Sequence, residues 1–235
     1  MDDTCNHDMG ADVKQMCISK VPIFNHLEPA EMREIMSKSR QMIFKKGEII
    51  YHQGDPLEYL YIVHRGRVKI YHLFESGKEQ LLRILEPGEF MGELALFTEK
   101  VIDSYAEAIE DAEICAIHRN DIQDSMKDYP AIPLKILSEF SNRLEETEYL
   151  VGQLSSKDVE TRTASYLVKL AEERNTLDIV LPMSKKDLAS YLGTTQETIS
   201  RRLSSFQTNG WIEQEGHRNI KLLNITALAE AAEDL

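Results

Sequence analysis

Long apolar runs are missing from this sequence. No stretch approaches the ~20 uninterrupted apolar residues that a membrane helix needs. The first residues, Met1 to Gly10, are polar and acidic, so no secretory signal peptide is expected and the cytoplasm is the expected compartment. Cysteine is scarce: Cys5, Cys17 and Cys115 are the only three, an odd count that makes no secreted disulfide framework. In a reducing compartment each reads as a free thiol, a redox switch or a metal ligand. Positive charge is short as well. Lys plus Arg number 27 against 40 Asp plus Glu, a net charge of −13 that argues against smeared, charge-driven binding to nucleic acid. Enzyme signatures are also wanting. There is no Gly-x-Ser-x-Gly, phosphate loop or His-Glu-x-x-His, and no metal-binding His-x-His, since His64 and His72 are eight apart and His118 stands alone. An enzyme is therefore not expected.

What remains, 235 residues with 42% apolar and 29% charged, suits a water-soluble globular protein of one large or two ordinary domains. Its charge is unevenly placed. Ser184 to Asn224 holds six basic residues (Lys185, Lys186, Arg201, Arg202, Arg218, Lys221) against four acids (Asp187, Glu197, Glu213, Glu215), which leaves +2 there and −15 elsewhere. Any DNA contact should be local and carried by the C-terminal end.

Hydrophobic patterning divides the chain. From about Lys20 to Asp124, short β-rich runs are punctuated by Gly47, Gly54, Gly66, Gly77 and Gly88, and Val68-Lys69-Ile70-Tyr71 alternates. This predicts an antiparallel sandwich or barrel. From Pro133 to Leu154 the period changes. Leu134, Leu137, Phe140, Leu144, Leu150, Val151 and Leu154 fall close to helical spacing, with Glu139, Arg143, Glu145, Glu146 and Glu148 between them. A helix that long cannot bury its stripe on a β domain alone, so a parallel two-stranded dimer seam is expected, carried by Leu137, Phe140, Leu144, Thr147 and Val151. A further amphipathic helix is predicted over Val159 to Glu173.

The most specific signal lies beyond it. Ser184 to Gly193 reads as a helix with a serine N-cap, an acid at the third helical position and a terminating glycine. A second helix runs from Thr195 to about Thr208, so that helix, glycine turn and helix make a helix-turn-helix. On the second helix Ile199, Leu203 and Phe206 form the predicted buried side, while Glu197, Ser200 and Arg201 share another face with Arg202 beside it. Arginine's planar fork matches the two acceptors of guanine, a carboxylate accepts from the cytosine amine, and a serine hydroxyl serves several bases. A glutamate facing a polyanion is unfavourable unless it reads a base donor, so its place beside arginine points to readout. Gln196 and Thr195, at the start of the helix, complete the candidate contact set. Trp211 to Leu222 reads as a β-hairpin whose tip, Gly216 to Asn219, could touch phosphate as a wing.

Over essentially its whole length the sequence resembles the CRP/FNR family of bacterial transcription regulators. The resemblance is carried by Phe44-Lys45-Lys46-Gly47-Glu48-Ile49-Ile50, Leu60-Tyr61-Ile62-Val63, Arg65-Gly66-Arg67-Val68-Lys69, Pro87-Gly88-Glu89-Phe90-Met91-Gly92-Glu93-Leu94 and Leu188 through Arg202. It implies an α+β architecture: an N-terminal antiparallel β-roll (cupin-like, of the cyclic-nucleotide-binding-domain type), a long dimerisation helix and a C-terminal winged helix-turn-helix. The expected divisions are an arm at 1–19 with Cys5 and Cys17, a β-roll sensor at 20–130, a dimerisation helix at 131–155 and a DNA-binding domain at 156–235. The implied partners are palindromic double-stranded DNA, a second copy of the chain and RNA polymerase, with no membrane.

Two positions separate the family's branches. In the cyclic-AMP-binding branch an Arg-Ser pair follows Gly-Glu-Leu by ten residues and its arginine neutralises the cyclic phosphate. Here Gly92-Glu93-Leu94 stands but the pair reads Asp103-Ser104. A carboxylate would repel the phosphate, so no cyclic AMP (cAMP) site is expected and Glu93 reads as a turn residue of the roll. In the recognition helix, Glu197-x-x-Ser200-Arg201 resembles the oxygen-responsive FNR branch, which implies TTGAT inverted repeats with Glu197 and Arg201 on the G·C pair and Ser200 on a neighbouring thymine.

The resemblance also bears on the signal. Cys115 stands where the family's β-roll cysteine does, but the dense N-terminal cysteine group is missing, and three cysteines cannot make a four-cysteine iron–sulfur cluster. Three readings stand open. Cys115 pairs with Cys5 or Cys17 in a thiol–disulfide switch, as in Gram-positive FNR-like proteins; a cluster or metal is held by three cysteines plus His7 or Asp8; or the cysteines are structural. Where the oxygen-responsive branch carries an aspartate that opposes dimerisation, this chain has Thr147, which should favour a standing dimer. Two alternatives are a regulator gated by a small ligand in the roll without cysteine sensing, and a β-roll ligand-binding module without DNA function.

Overall fold

The computed structural model describes residues 17–99 and 101–233. The chain forms two compact units, one holding residues up to Glu75 and Leu82–Leu144, the other Ser76–Leu81 and Glu145 onward.

The first unit holds the strands β1 (Ser39–Phe44), β2 (Ile49–Tyr51), β3 (Tyr59–Arg65), β4 (Val68–Leu73), β5 (Glu79–Leu85, from Leu82 onward), β6 (Phe90–Met91), β7 (Tyr105–Ala108) and β8 (Ala112–His118). They form two four-stranded sheets, in the orders β1-β8-β3-β6 and β2-β7-β4-β5. β8 runs antiparallel between β1 and β3, with Cys115 opposite Gln41 on one side and Ile62 on the other.

The two central strands are buried on both faces, which explains why they read as apolar runs rather than clean alternations. Along β3, Tyr61 and Val63 face the second sheet and pack with Tyr51, Ile70, Leu85 and Ala106, while Leu60 and Ile62 belong to a second core. Along β8, Ile114 and Ala116 join the first core, Cys115 and Ile117 the second. That second core is closed by helices: α1 (Pro29–Ser37), α2 (Arg119–Asp128) and the start of α3 (Ala131–Ser156) supply Met32, Ile35, Ile122, Ile132 and Ile136. The strand-rich reading of Lys20 to Asp124 therefore needs correction at both ends. Pro29 at the helix start and a reciprocal Glu28–Glu31 capping box specify α1, and the His118 ring accepts from the Asn120 amide to open α2. At Gly92, φ is +80° and an added Cβ would lie 2.3 Å from the Tyr59 carbonyl oxygen, so only glycine fits the turn that delivers Glu93.

The second unit contains the end of α3, α4 (Val159–Arg174), β9 (Asp178–Val180), α5 (Lys185–Tyr191), α6 (Gln196–Thr208), β10 (Ile212–Glu215), β11 (Asn219–Leu222) and α7 (Ile225–Ala232). The hairpin predicted over Trp211 to Leu222 is present as β10 and β11, and β9 adds to it a third strand that the sequence pattern did not announce. Asp158 caps α4 through the Thr161 amide at 2.8 Å, and Asn224 caps α7 at 3.0 Å. No helix among the described residues is long and apolar enough to cross a membrane.

Candidate nucleic-acid interface

The helix-turn-helix is specified locally at each of its joints. Ser184 Oγ accepts from the Asp187 amide at 3.1 Å to start α5. Gly193, at φ +65°, turns the chain, and the Thr194 amide closes on the Ala189 carbonyl at 2.8 Å. Thr195 then caps α6 through the Thr198 amide at 3.3 Å. α6 is seated by Ile199, Leu203 and Phe206, all at 0% exposure, with Phe206 stacked on Trp211 at 5.3 Å. Each such side chain contributes about 1.5–3 kcal/mol by burial, so the rotation of the helix is set by its inner face.

That rotation fixes what points outward. The Glu197 and Arg201 side chains are 82% and 79% exposed, and one Arg201 nitrogen lies 3.5 Å from a Glu197 carboxylate oxygen one turn away. Ser200 is half-buried beside them, and Gln196 is exposed at the helix start. Thr195 is a cap as well as a candidate contact. Arg202 departs from the expected grouping. Its side chain turns to α4, where Nη1 donates to the Glu160 carboxylate at 2.6 Å. The wing turn, Gly216 to Arg218, is tied to the unit through the Arg218 carbonyl, which accepts from the Leu181 amide at 2.9 Å. Lys185 Nζ donates to Gln214 at 2.7 Å, joining α5 to the wing.

In the first unit, Glu93 is 8% exposed and engaged by two arginines: Arg143 of α3, in direct ion contact, and Arg83 of β5, at 3.3 Å. Arg143 also donates to the Phe90 carbonyl at 2.9 Å and lies over the Phe90 ring. Burial, and after it the nearby Arg83 charge, holds the Arg143 guanidinium below its usual pKa. Asp103 is exposed and its carbonyl oxygen meets His72 Nδ1 at 2.9 Å, whereas Ser104 is buried beside Tyr51, whose phenol burial pushes up to about 12. Sequence reasoning placed Glu93 but missed both arginines and Glu160, because partners that lie 10 to 50 residues apart and meet through folding leave no local pattern.

Cys115 is 2% exposed, within the core closed by the helices. Cys17 opens a single 3₁₀ turn, Cys17–Lys20, and the next residue, Ile18, is fully buried in the same core as Cys115. Cys5, His7 and Asp8 lie outside the described residues. Among the described residues, no group of three or more His, Cys, Asp or Glu side chains is gathered as a metal would require.

α3 leaves much of its apolar stripe uncovered within one chain. Leu137, Leu144 and Val151 are 61%, 59% and 57% exposed, and Leu134 reaches 70%. Phe140 is half-buried against Phe97, at 5.8 Å between ring centres, and Thr147 is exposed.

Comparison with known proteins agrees with these elements. Residues 41–129 match the cyclic nucleotide-binding domain and residues 161–231 the Crp-like helix-turn-helix domain. A Lacticaseibacillus casei protein named "Probable transcriptional regulator flp" is 31% identical over 218 residues, covering 93% of this chain and 97% of its own. The "CRP-like cAMP-activated global transcriptional regulator" of Mycobacterium tuberculosis is 28% identical, covering 85% of this chain and 91% of its own. Among solved structures, FixK2 from Bradyrhizobium japonicum superimposes with a TM-score of 0.74 at 28% identity, over 84% of this chain and 98% of that one.

Proposed function

Because the chain belongs to the CRP/FNR family of DNA-binding transcription regulators, we propose that it binds as a homodimer to an inverted repeat of TTGAT half-sites, with RNA polymerase as the partner of the bound dimer. The observation that carries the reading is the outward face of α6, where Glu197, Ser200 and Arg201 stand together on a helix rotated by its buried Ile199, Leu203 and Phe206. In each half-site Arg201 donates to guanine, Glu197 accepts from the paired cytosine and Ser200 meets the adjacent thymine, with Gln196 and Thr195 close to the backbone at the helix start. The Glu197–Arg201 pair keeps the two side chains near one another but is too exposed to fix them. Ser200→Gly tests this assignment: in competition between TTGAT and GTGA-like duplexes, preference for TTGAT should fall by roughly 5- to 100-fold for each half-site, the worth of one base contact. Unchanged selectivity would rule out Ser200 as a reader.

The uncovered stripe of α3 supports the dimer. Leu137, Leu144 and Val151 recur at intervals of seven, with Phe140, Thr147 and Leu154 three residues after each, the spacing of a two-stranded coiled-coil seam. Thr147 puts no like charge in that seam, so the dimer stands without a signal and the signal acts on DNA affinity. The roll takes no cyclic nucleotide: its glutamate is committed to Arg83 and Arg143, and Asp103 offers no cation to a phosphate.

The signal read by this FNR-like protein is redox, acting through Cys115 and an N-terminal cysteine. Two features support this: Cys115 occupies a helix-covered core, and the turn that begins at Cys17 enters that core through Ile18. At 2% exposure the Cys115 thiol is shielded from solvent oxidants while the core stays closed. Oxidation of the wild type should change DNA affinity by something like 5- to 150-fold, the usual size of such couplings, reversibly on adding reductant, and Cys115→Ser should abolish the change. An equal response in the variant would remove Cys115 from the switch.

A further inference from the structure

Arg202 carries the right charge for DNA and sits on the DNA-reading helix, yet in the free protein it is already taken. Its Nη1 lies 2.6 Å from a Glu160 oxygen, with the two side chains 39% and 34% exposed. Glu160 stands in the first turn of α4, two residues after the capping Asp158, whose carboxyl is held low first by the Thr161 amide and also by the Arg202 charge. The guanidinium is paired with Glu160 alone, and its charge reaches Asp158 only weakly.

Geometry gives this pairing a consequence. The major groove is about 12 Å wide, close to the diameter of a helix with its side chains. A helix lying in it turns one face to the base edges and its two flanks to the rows of phosphates that wall the groove. Arg202 is on such a flank. It stands between the outward Arg201 and the buried Leu203, its side chain 39% exposed and directed to α4. An unpaired arginine there would reach for a phosphate, adding affinity for every sequence alike.

We propose that Glu160 is a specificity-determining residue: its carboxylate takes the place of a DNA phosphate at Arg202 and so withholds that cation from sequence-independent binding. The inference rests on α6 being the helix that enters the groove. It also gives the local charge a meaning. The reading segment carries only +2, and with Arg202 neutralised from outside it, selectivity depends on the base contacts of Glu197, Ser200 and Arg201 rather than on backbone attraction.

The test is the salt dependence of binding to a random-sequence duplex, followed by fluorescence anisotropy from 50 to 200 mM salt. Wild type, Glu160→Gln, Arg202→Gln and the double variant are compared, each checked for helix content by circular dichroism. Freeing Arg202 adds one phosphate contact per subunit, so Glu160→Gln should steepen the slope of log K against log salt by about 0.9 per contact. For a dimer that is about 1.8, or a roughly 12-fold greater loss of affinity between the two salt concentrations. Arg202→Gln alone should keep the wild-type slope, and the double variant should return to it. A purely structural role for the pair would weaken both single variants and leave the slopes equal. Equal slopes for Glu160→Gln and wild type would overturn the proposal, and so would a shallower slope for Arg202→Gln, since Arg202 would then already lie on phosphate. Because the duplex carries no special site, the outcome is independent of whether TTGAT is the correct half-site. A Glu160→Gln variant that fails to fold is replaced by Glu160→Asp, whose shorter reach should give part of the same steepening.

Discussion

Leu144→Glu should leave the chain folded and make it monomeric at micromolar concentration. Leu144 is 59% exposed in a single chain, so a polar side chain there costs the fold little. In a paired seam the same substitution sets two carboxylates against each other in an apolar interior, where unpaired charge costs several kcal/mol. The consequence for DNA is larger than for assembly. Two linked reading helices gain about 10²–10⁴-fold over one through effective concentration alone, and that gain should vanish with the dimer. Sedimentation equilibrium and binding to an inverted repeat measure the two effects separately. A variant that stays dimeric would move the interface off Leu144, and a monomer that binds the repeat undiminished would show that the two-fold site is not used.

Arg201→Ala should produce the second large effect. A bidentate contact to guanine is worth about 1–3 kcal/mol of discrimination, and a dimer makes it twice. Specific affinity should therefore drop by about 2–6 kcal/mol, some 30- to 20,000-fold. Stability should barely change, because the Arg201–Glu197 pair is almost fully exposed and exposed pairs across one helical turn contribute only ~0.3–0.5 kcal/mol. The loss should also disappear on a duplex in which the contacted G·C pair is replaced, where wild type and variant bind alike. A variant that weakens binding to all duplexes equally would make Arg201 a backbone contact rather than a reader.

The parts of the molecule legible in the sequence are those governed by local rules. Ser184, Gly193 and Thr195 announce the helix-turn-helix because caps and a left-handed glycine act over three or four residues. The spacing of Ile199, Leu203 and Phe206 announces which side of α6 is buried, and hence which side is free. The strands of the roll are announced by glycine punctuation. α1 escaped although its signals are local, a proline start, a capping box of two glutamates and Met32, Ile35 and Met36 at helical spacing, because nine residues are few against the strand-rich stretch that follows. β9 escaped because three residues carry too little alternation to register.

What could not be read was pairing at a distance. Arg83 and Arg143 meet at Glu93 from β5 and α3, and Arg202 meets Glu160 across α6 and α4. Along the sequence each arginine reads as a solvated charge. Arg202 is the clearest case, since its residue type and its neighbour Arg201 both suggest a DNA contact, while its direction is set by a carboxylate 42 residues earlier. Cysteine placement was legible in one respect. Cys115 falls on a strand buried on both faces, and the strand's register decides that it faces the helix side.

The most direct measurement is a binding titration of the reduced wild-type protein on three labelled duplexes: a TTGAT-N4-ATCAA repeat, the same repeat with the G·C pair of each half-site inverted, and a single half-site. A dimer that reads bases through Glu197, Ser200 and Arg201 should prefer the intact repeat over the inverted one by about 30-fold or more, and over the half-site by at least about 100-fold. Equal affinity for all three duplexes would contradict it, because a protein that holds DNA by phosphates alone cannot tell them apart.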